Sequence, residues 1–340
     1  MSPEKPLLVV CGATGNQGGS VINYFLSQPS NPYALRGITR DPSSAKSQAL
    51  AAQGVEMVAG DFNHPLSLDS AFKGASAIFG VNDFWVYFRN AEKRGEAEAK
   101  GENWGALSRD NDTQEIKSII DAASRVPALE RFVLASMANS NKLSGGKYAE
   151  CYHFEGKAIA EDYGRQNQPE LWKKTSVLYV GFYLENYLGP MSAFFLPKLN
   201  KTKSCLVLNL GDLLPSVSWP WCAAIDDTGV LVAGLLRSLP GQRVIGNREW
   251  LTMLDITKIL AELVDATDVE VSSEPVSFDM GDTLVTTDNM HMIGFSAEFG
   301  YDGHLAGNEV TEPSKLGISL PSVKEWFQQQ DWASKIQTVE

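Results

Sequence analysis

The chain has few cysteines, no long hydrophobic run and no excess of basic residues. Its four cysteines, Cys11, Cys151, Cys205 and Cys222, form no Cys-x-x-Cys pair, so we interpret them as reduced packing thiols. No apolar stretch reaches the roughly 18 residues of a transmembrane helix, and we find no signal-peptide pattern. With 29 basic and 41 acidic residues, the net charge of −12 argues against nucleic-acid binding. We therefore expect a cytoplasmic protein that binds neither nucleic acid nor membrane.

Hydrophobic residues make up 44% of the 340-residue chain, enough for a sizeable core. Over residues 1–180, apolar strands alternate with amphipathic helices. The predicted strands are 7–11, 33–39, 55–59, 77–81, 131–135 and 175–179, and the predicted helices are 19–27, 43–53, 66–72, 113–125 and 155–165. This alternation predicts an α/β fold with a Rossmann-type, doubly wound parallel sheet.

Two segments depart from that alternation. Residues 89–112 are polar with little apolar periodicity, and we interpret them as a surface insertion of the first domain. Residues 181–340 are predicted to form a smaller substrate-binding lobe, from which about 222–246 return to the Rossmann domain. Further helices are predicted at 227–236, 252–264 and 322–329.

A glycine-rich turn, GATGNQGG at residues 12–19, joins the first predicted strand to the first helix. Glycines permit a tight turn and a close approach to a pyrophosphate, and the next helix directs its free N–H groups at the phosphates. Gly12, Gly15 and Gly18 are spaced as G-x-x-G-x-x-G. The alternative to a dinucleotide-binding turn is a turn with a purely structural role. The position between a strand and a helix favours dinucleotide binding.

The residue that ends the second strand discriminates between the two dinucleotides. An acidic residue there binds the ribose 2′-OH of NAD, whereas a basic one accommodates the 2′-phosphate of NADP. Arg40 follows Thr39 directly, and Asp41 lies in the turn before Pro42. A guanidinium suits phosphate, so we predict NADP(H), with a solvated arginine as the alternative.

Several motifs along the chain share one family pattern. They are VVCGATGNQGGSV at 9–21, TRDP at 39–42, AAQGVE at 51–56, GDF at 60–62, GVNDFW at 80–85, HFEGK at 153–157 and FYLEN at 182–186. Together they resemble the NmrA-like family of atypical short-chain dehydrogenases, which is related to isoflavone-reductase-like proteins. The resemblance covers most of the chain and thins after about residue 250, and residues 89–112 depart from the family pattern.

The resemblance implies a set of cofactor-binding residues, for each of which a loop or packing role is the alternative. At the phosphates and adenine they are Thr14, Asn16, Gln17, Asp61 and Phe62. Asn82 and Phe84 would pass beneath the cofactor after the fourth strand, and Lys117 would approach the nicotinamide side. The residues that would line the nicotinamide are Tyr179, Gly181, Phe182 and Tyr183.

The candidate catalytic residues lie four positions apart. Short-chain dehydrogenases carry Tyr-x-x-x-Lys on one helix; here Lys157 matches the lysine, but His153 stands at the tyrosine position and Tyr152 is about 100° round the helix. Lys157 would hold the nicotinamide ribose or act as acid and base, as the resemblance implies. His153 or a pocket tyrosine would supply the proton. The four histidines lack ligand spacing, so we expect no metal site.

Large aromatic residues cluster after residue 180. Tyr183, Tyr187, Trp219 and Trp221 are predicted to wall a substrate cavity, with a satellite core as the alternative. Two functions compete: an NADPH-dependent reductase of a small, aromatic or conjugated molecule, and a non-catalytic NADP(H)-binding redox sensor that regulates a protein partner. The resemblance implies the sensor function, because the founding member of the family is a regulator of this kind in fungi. The retained Lys157 favours the enzyme.

Overall fold

The computed structural model describes residues 5–189, 191–209, 217–272 and 279–339. The strands are β1 Leu7–Val10, β2 Ala34–Thr39, β3 Glu56–Ala59, β4 Ala75–Gly80, β5 Arg131–Ser136, β6 Thr175–Val180, β7 Phe182–Tyr183, β8 Lys198–Asn200, β9 Cys205–Leu208, β10 Ser218–Cys222, β11 Arg243–Gly246, β12 Glu249–Thr252, β13 Asp268–Val271 and β14 Thr338–Val339.

The helices surround these strands. They are α1 Asn16–Ser27, α2 Ala45–Ala51, α3 Pro65–Ala71, α4 Phe84–Phe88, α5 Ala91–Ala99, α6 Trp104–Ser124, α7 Ser140–Leu143, α8 Tyr152–Asn167, α9 Pro169–Trp172, α10 Ser192–Phe195, α11 Ala224–Arg237, α12 Met253–Leu263, α13 Thr283–Phe299 and α14 Val323–Phe327. Short 3₁₀ turns lie at Leu184–Tyr187, His304–Ala306 and Pro313–Leu316. Within the described ranges, no helix has the length and apolar content needed to cross a bilayer.

A parallel sheet of seven strands forms the centre, in the order β11-β6-β5-β4-β1-β2-β3. Its middle strands are buried because helices cover both faces, which explains their nearly continuous apolar sequences. The chain winds outward in opposite directions from β1 and β4. A cleft therefore opens at the carboxyl ends of these two strands, where doubly wound sheets bind ligands. The predicted fold class is confirmed.

The later part of the chain contributes to this sheet and adds two smaller ones. β11 pairs with β6, and α11 packs on α1, where the backbone N–H of Gly229 donates to Ser20 Oγ at 2.9 Å. A Cβ at Gly229 would lie 2.5 Å from the Ser20 carbonyl oxygen, so glycine permits this close approach. The added sheets have the orders β12-β10-β7 and β13-β9-β8-β14.

The segment 89–112 differs from the sequence prediction, because it is largely helical. It contains α5 and the first half of α6, so α6 begins at Trp104 rather than at residue 113. Trp104 is buried and donates from Nε1 to the Phe88 carbonyl at 2.9 Å. The inward positions that follow are small or polar, namely Gly105, Ser108 and Asp112. Such residues carry no apolar periodicity, which is why the sequence pattern did not indicate a helix.

Candidate active site

The glycine turn lies between β1 and α1, at the point where the sheet changes winding direction. Gly12 has a φ of +58°, which favours glycine. A Cβ on Gly18 would lie 2.3 Å from the Gly12 carbonyl oxygen, so the helix packs directly on the turn. No side chain caps the start of α1. The free N–H groups of its first turn are thus available to an anionic group.

A cavity of about 1010 Å³ opens at the carboxyl ends of β1 and β4. It brings together most of the predicted site residues: Gly12, Thr14, Gly15, Asn16, Gln17, Gly18, Arg40, Asp61, Phe62, Asn82, Phe84, His153, Lys157, Gly181, Phe182 and Tyr183. Several residues of its wall carry a buried polar atom that forms no hydrogen bond within the described part of the chain, among them Gln17 Oε1, Asn82 Oδ1 and Ser136 Oγ. A polar ligand such as a dinucleotide fits this unsatisfied lining.

Arg40 and Asp61 form one end of the cavity, next to the glycine turn. Arg40 is exposed, which leaves its guanidinium accessible to a ligand. Partial burial disfavours the charged form of Asp61. Hydrogen bonds from the Asn63 N–H and His64, with the nearby charge of Arg40, nevertheless hold the pKa of Asp61 below its usual value. Asp61 is therefore an ionised acceptor beside a cation.

Lys157 belongs to a buried polar network under the middle of the cavity. Its Nζ donates to both carboxylate oxygens of Asp112, at 3.0 and 3.1 Å. The side-chain amide of Asn82 donates to Asp112 Oδ1 at 2.8 Å and to Glu115 Oε2 at 3.0 Å. Burial raises the pKa of Asp112 even though Lys157 and Asn82 favour its charged form, and burial likewise raises the pKa of Glu115. The network fixes the Lys157 ammonium at the cavity wall.

The Asp112 contact was missed by sequence reasoning, because Asp112 lies in the segment interpreted as an insertion. A signal did exist. Trp104, Ser108, Asp112 and Ile116 recur every four residues and are all buried on one face of α6. A pattern that counts small and polar residues together with apolar ones at helical spacing would have predicted this buried face, and Asp112 with it.

His153 lies one turn before Lys157 on α8 and also lines the cavity. Its Nδ1 pairs directly with Asp288 on α13, and its backbone N–H donates to the other Asp288 oxygen at 3.2 Å. Its ring contacts three aromatic rings, those of Phe84, Trp85 and Phe154, with centroid separations of 6.2, 5.5 and 4.8 Å. Asp288 was not predicted, because α13 carries no recognisable motif.

One group of potential metal ligands occurs here. Cys151, His153 and Asp288 each place a donor atom within 4.8 Å of the other two. Two ligands of one zinc ion lie about 3.3 Å apart, whereas the His153 ring and the Asp288 carboxylate lie closer than that, in direct ion-pair contact. Burial raises the pKa of the Cys151 thiol well above its usual value, and the nearby Asp288 raises it further. This chemistry favours an ion pair beside a protonated thiol over a metal centre.

Aromatic residues wall the far end of the cavity. Phe182 and Tyr183 line it, and the Tyr183 hydroxyl accepts from Gln17 Nε2 at 2.9 Å, which links this wall to the start of α1. Burial raises the pKa of Tyr183. Tyr301, which was not predicted, also lines the cavity, and α13 adds Met292.

Five predicted residues do not line the cavity: Lys117, Tyr179, Tyr187, Trp219 and Trp221. Lys117 is about 140° round α6 from Asp112, and its ammonium lies 4.9 Å from the Tyr163 ring centroid. Tyr179 points away from the cavity, because successive side chains of a strand face opposite sides of the sheet. Its hydroxyl lies 3.2 Å from Glu161 Oε2.

The other three residues that do not line the cavity, Tyr187, Trp219 and Trp221, pack behind its aromatic wall. Trp219 and Trp221 pack on Phe182, with centroid separations of 4.9 and 5.3 Å, and Tyr187 packs on Trp221 at 5.6 Å. All three are almost fully buried. They form the satellite core that was the alternative, and they support the Phe182 ring that faces the cavity.

Comparison with known proteins identifies the family of this chain. A model of the NmrA-like family matches residues 4–327. The NmrA-like family domain-containing oxidoreductase ptmS of Penicillium ochrochloron is 26% identical over 356 residues, covering 96% of this chain and 98% of that protein. NmrA, a negative transcriptional regulator, in complex with NADP has a TM-score of 0.69 at 16% identity over 97% of each chain. AtPrR2 with NADP+ and (+)pinoresinol has a TM-score of 0.66 at 17% identity, over 96% of this chain and 99% of that one. The family match spans nearly the whole chain, and this protein belongs to the NmrA-like family.

Proposed function

We propose that this protein is an NADP-dependent oxidoreductase that transfers hydride from NADPH to a small aromatic or conjugated molecule. One observation carries the proposal. The glycine turn, the Lys157–Asp112 pair and the His153–Asp288 pair all border one cavity with an aromatic end. A sensor needs the glycine turn, but it has less need of charged pairs beside an aromatic pocket. Relatives named as oxidoreductases support the same function.

The residues present fit NADP(H). The tight glycine turn and the uncapped start of α1 suit a diphosphate, and Arg40 suits the 2′-phosphate. NADPH, when bound, supplies the hydride. Asn82 and Lys157, which line the cavity, would hold the nicotinamide ribose. Phe182, Tyr183 and Tyr301 would exclude water from the reacting atoms.

Replacing Arg40 by alanine should weaken NADPH binding about tenfold and leave NADH binding nearly unchanged, because a guanidinium–phosphate contact contributes more than an ordinary exposed ion pair. Calorimetric titration of the wild type and Arg40→Ala with both cofactors measures this. Arg36→Ala is the matched control. Arg36 lies within β2 rather than after its end, and its Nε is 2.8 Å from Glu56 Oε2. Equal affinity of the wild type for NADPH and NADH would contradict the assignment.

The far end of the cavity supports the proposed substrate class. Phe84, Trp85 and Phe182 provide flat apolar surfaces, which favour a planar unsaturated molecule. The bound pinoresinol of AtPrR2 is consistent with an aromatic ligand in this fold. The proposed substrates are therefore a class of planar, conjugated acceptors.

Deuterium transfer tests the reductase proposal. NADPH labelled at C4 is incubated with the protein and a panel of aromatic enones, aldehydes and imines, and the products are examined by mass spectrometry. We expect enzyme-dependent incorporation of deuterium into at least one acceptor. NADPH binding with no labelled product across the panel would instead support the redox-sensor alternative.

We also propose a cytoplasmic location. All four cysteines are free and buried, as is typical of proteins from a reducing compartment. Microscopy of the full chain fused to a fluorescent protein tests this, and a fluorescent signal confined to an oxidising compartment would contradict it.

A further inference from the structure

The His153–Asp288 pair has an arrangement that hydride transfer alone does not require. Asp288 is fully buried on α13, and both of its oxygens are directed at His153, one at the ring Nδ1 and one at the backbone N–H. The imidazole is thereby fixed in orientation. With Nδ1 occupied by Asp288, Nε2 is the ring nitrogen left for a ligand in the cavity.

The ion pairs around Asp288 show which basic side chain is its partner. Two of the cations that line the cavity have other partners, since Lys157 pairs with Asp112 and Arg94 with Asp282. Across the described ranges, no lysine or arginine forms an ion pair with Asp288. A buried carboxylate is strongly unfavourable without a positive partner, and His153 is the basic side chain in contact with Asp288. An imidazole ring that carries a second proton is a donor at Nε2 as well as at Nδ1.

The surroundings of the ring limit what this proton can reach. Phe84, Trp85 and Phe154 surround the imidazole and offer no hydrogen-bonding side-chain oxygen. A ligand oxygen that enters this aromatic environment would therefore find the Nε2–H as its donor. The apolar remainder of the ligand would lie on the aromatic rings.

We propose that the His153–Asp288 couple is the proton donor of the reaction and that it selects substrates with a carbonyl conjugated to an aromatic system; this rests on the proposed function. As hydride reaches the substrate carbon, the Nε2–H bond breaks and an O–H bond forms on the developing oxyanion. The substrate is reduced, NADPH is oxidised, and neutral His153 regains a proton from water. Asp288 is a positioning residue that holds Nδ1 and stabilises the charged imidazole.

The couple can be probed without hydride transfer, using 4-nitrophenolate as an aromatic oxyanion. The probe is titrated into the full chain saturated with NADP+, at a pH where the free probe is the phenolate. We expect binding with a shift of its absorption band, because the Nε2–H donates to the oxyanion. His153→Gln and Asp288→Asn should each weaken binding about tenfold and remove the band shift.

A matched control lies on the same helix as Asp288. His291 pairs with Glu150 at 3.5 Å and does not line the cavity, so His291→Gln should bind the probe as the wild type does. Unfolding midpoints show which variants are folded. If a single variant is unstable, the double variant His153→Gln with Asp288→Asn, which leaves no unpaired buried carboxylate, replaces it.

Failure of the wild type to bind the probe, or equal binding and band shift in folded His153→Gln, would overturn the proposal. Probe binding involves no hydride transfer. The titration therefore tests the His153–Asp288 couple, whereas deuterium transfer tests the reductase proposal. In turnover of any acceptor found by deuterium transfer, Asp288→Asn should lower kcat and leave KM nearly unchanged. An unchanged kcat in that variant would equally overturn the assignment.

Discussion

Replacing Lys157 by alanine should lower turnover at least about 100-fold while weakening NADPH binding much less, because a small misplacement of the reacting groups has an effect of that size. Lys157 Nζ is fixed by two hydrogen bonds to Asp112 and borders the cavity. We attribute to it the placement of the nicotinamide ribose against the substrate. Steady-state kinetics with an acceptor identified by deuterium transfer, together with calorimetric NADPH binding, separates the two effects.

Stability must be separated from catalysis in this variant. Lys157→Ala leaves Asp112 buried without its cation, which can destabilise a protein by about 3 kcal/mol. The double variant Lys157→Ala with Asp112→Asn removes that charge, so it should regain stability without regaining turnover. Lys117→Ala is the matched control, because Lys117 does not line the cavity. Undiminished turnover in Lys157→Ala would remove Lys157 from the chemistry and favour the sensor.

The second large effect is expected at the glycine turn. A Cβ on Gly18 would lie 2.3 Å from the Gly12 carbonyl oxygen and 2.5 Å from that of Cys11, and neither backbone atom can move without displacing α1. Gly18→Ala should therefore reduce NADPH affinity more than about 100-fold, since the amide donors to the diphosphate shift with the helix. Calorimetry and unfolding midpoints measure the effect.

The neighbouring Gly19 provides the control for that experiment. Its nearest contact for an added Cβ is the Ala13 carbonyl oxygen at 3.5 Å, an ordinary van der Waals distance. Gly19→Ala should keep NADPH affinity within about twofold and stabilise α1 by up to about 1 kcal/mol through its higher helix propensity. Equal NADPH affinity in Gly18→Ala and Gly19→Ala would show that close packing at the turn is not what forms the cofactor site.

The part of the site that the sequence predicted is the part that depends on local backbone geometry. A glycine turn after β1 and a residue at the end of β2 have positions that the α/β fold determines, so Gly18 and Arg40 could be assigned from the amino-acid pattern alone. The family resemblance, now confirmed, added Asn82, Lys157 and Phe182, which the cavity brings together.

The residues that the sequence did not predict act across long distances in the chain. Asp112 meets Lys157 across 45 residues, and Asp288 meets His153 across 135. Periodicity can assign Asp112 to the buried face of α6, but it does not indicate which distant residue an inward polar side chain contacts. Trp219 and Trp221 show the opposite difficulty: large aromatic residues indicate burial, but composition does not distinguish a cavity wall from the layer behind it.

The most direct test of the central claim is a crystal structure of the protein with NADP+. We predict that Arg40 contacts the 2′-phosphate and that Lys157 lies within hydrogen-bond distance of the nicotinamide ribose. We also predict that an enclosed space separates the nicotinamide C4 from His153, bordered by Trp85 and Phe182. A nicotinamide that faces open solvent, or that packs with no space over C4, would contradict the reductase account.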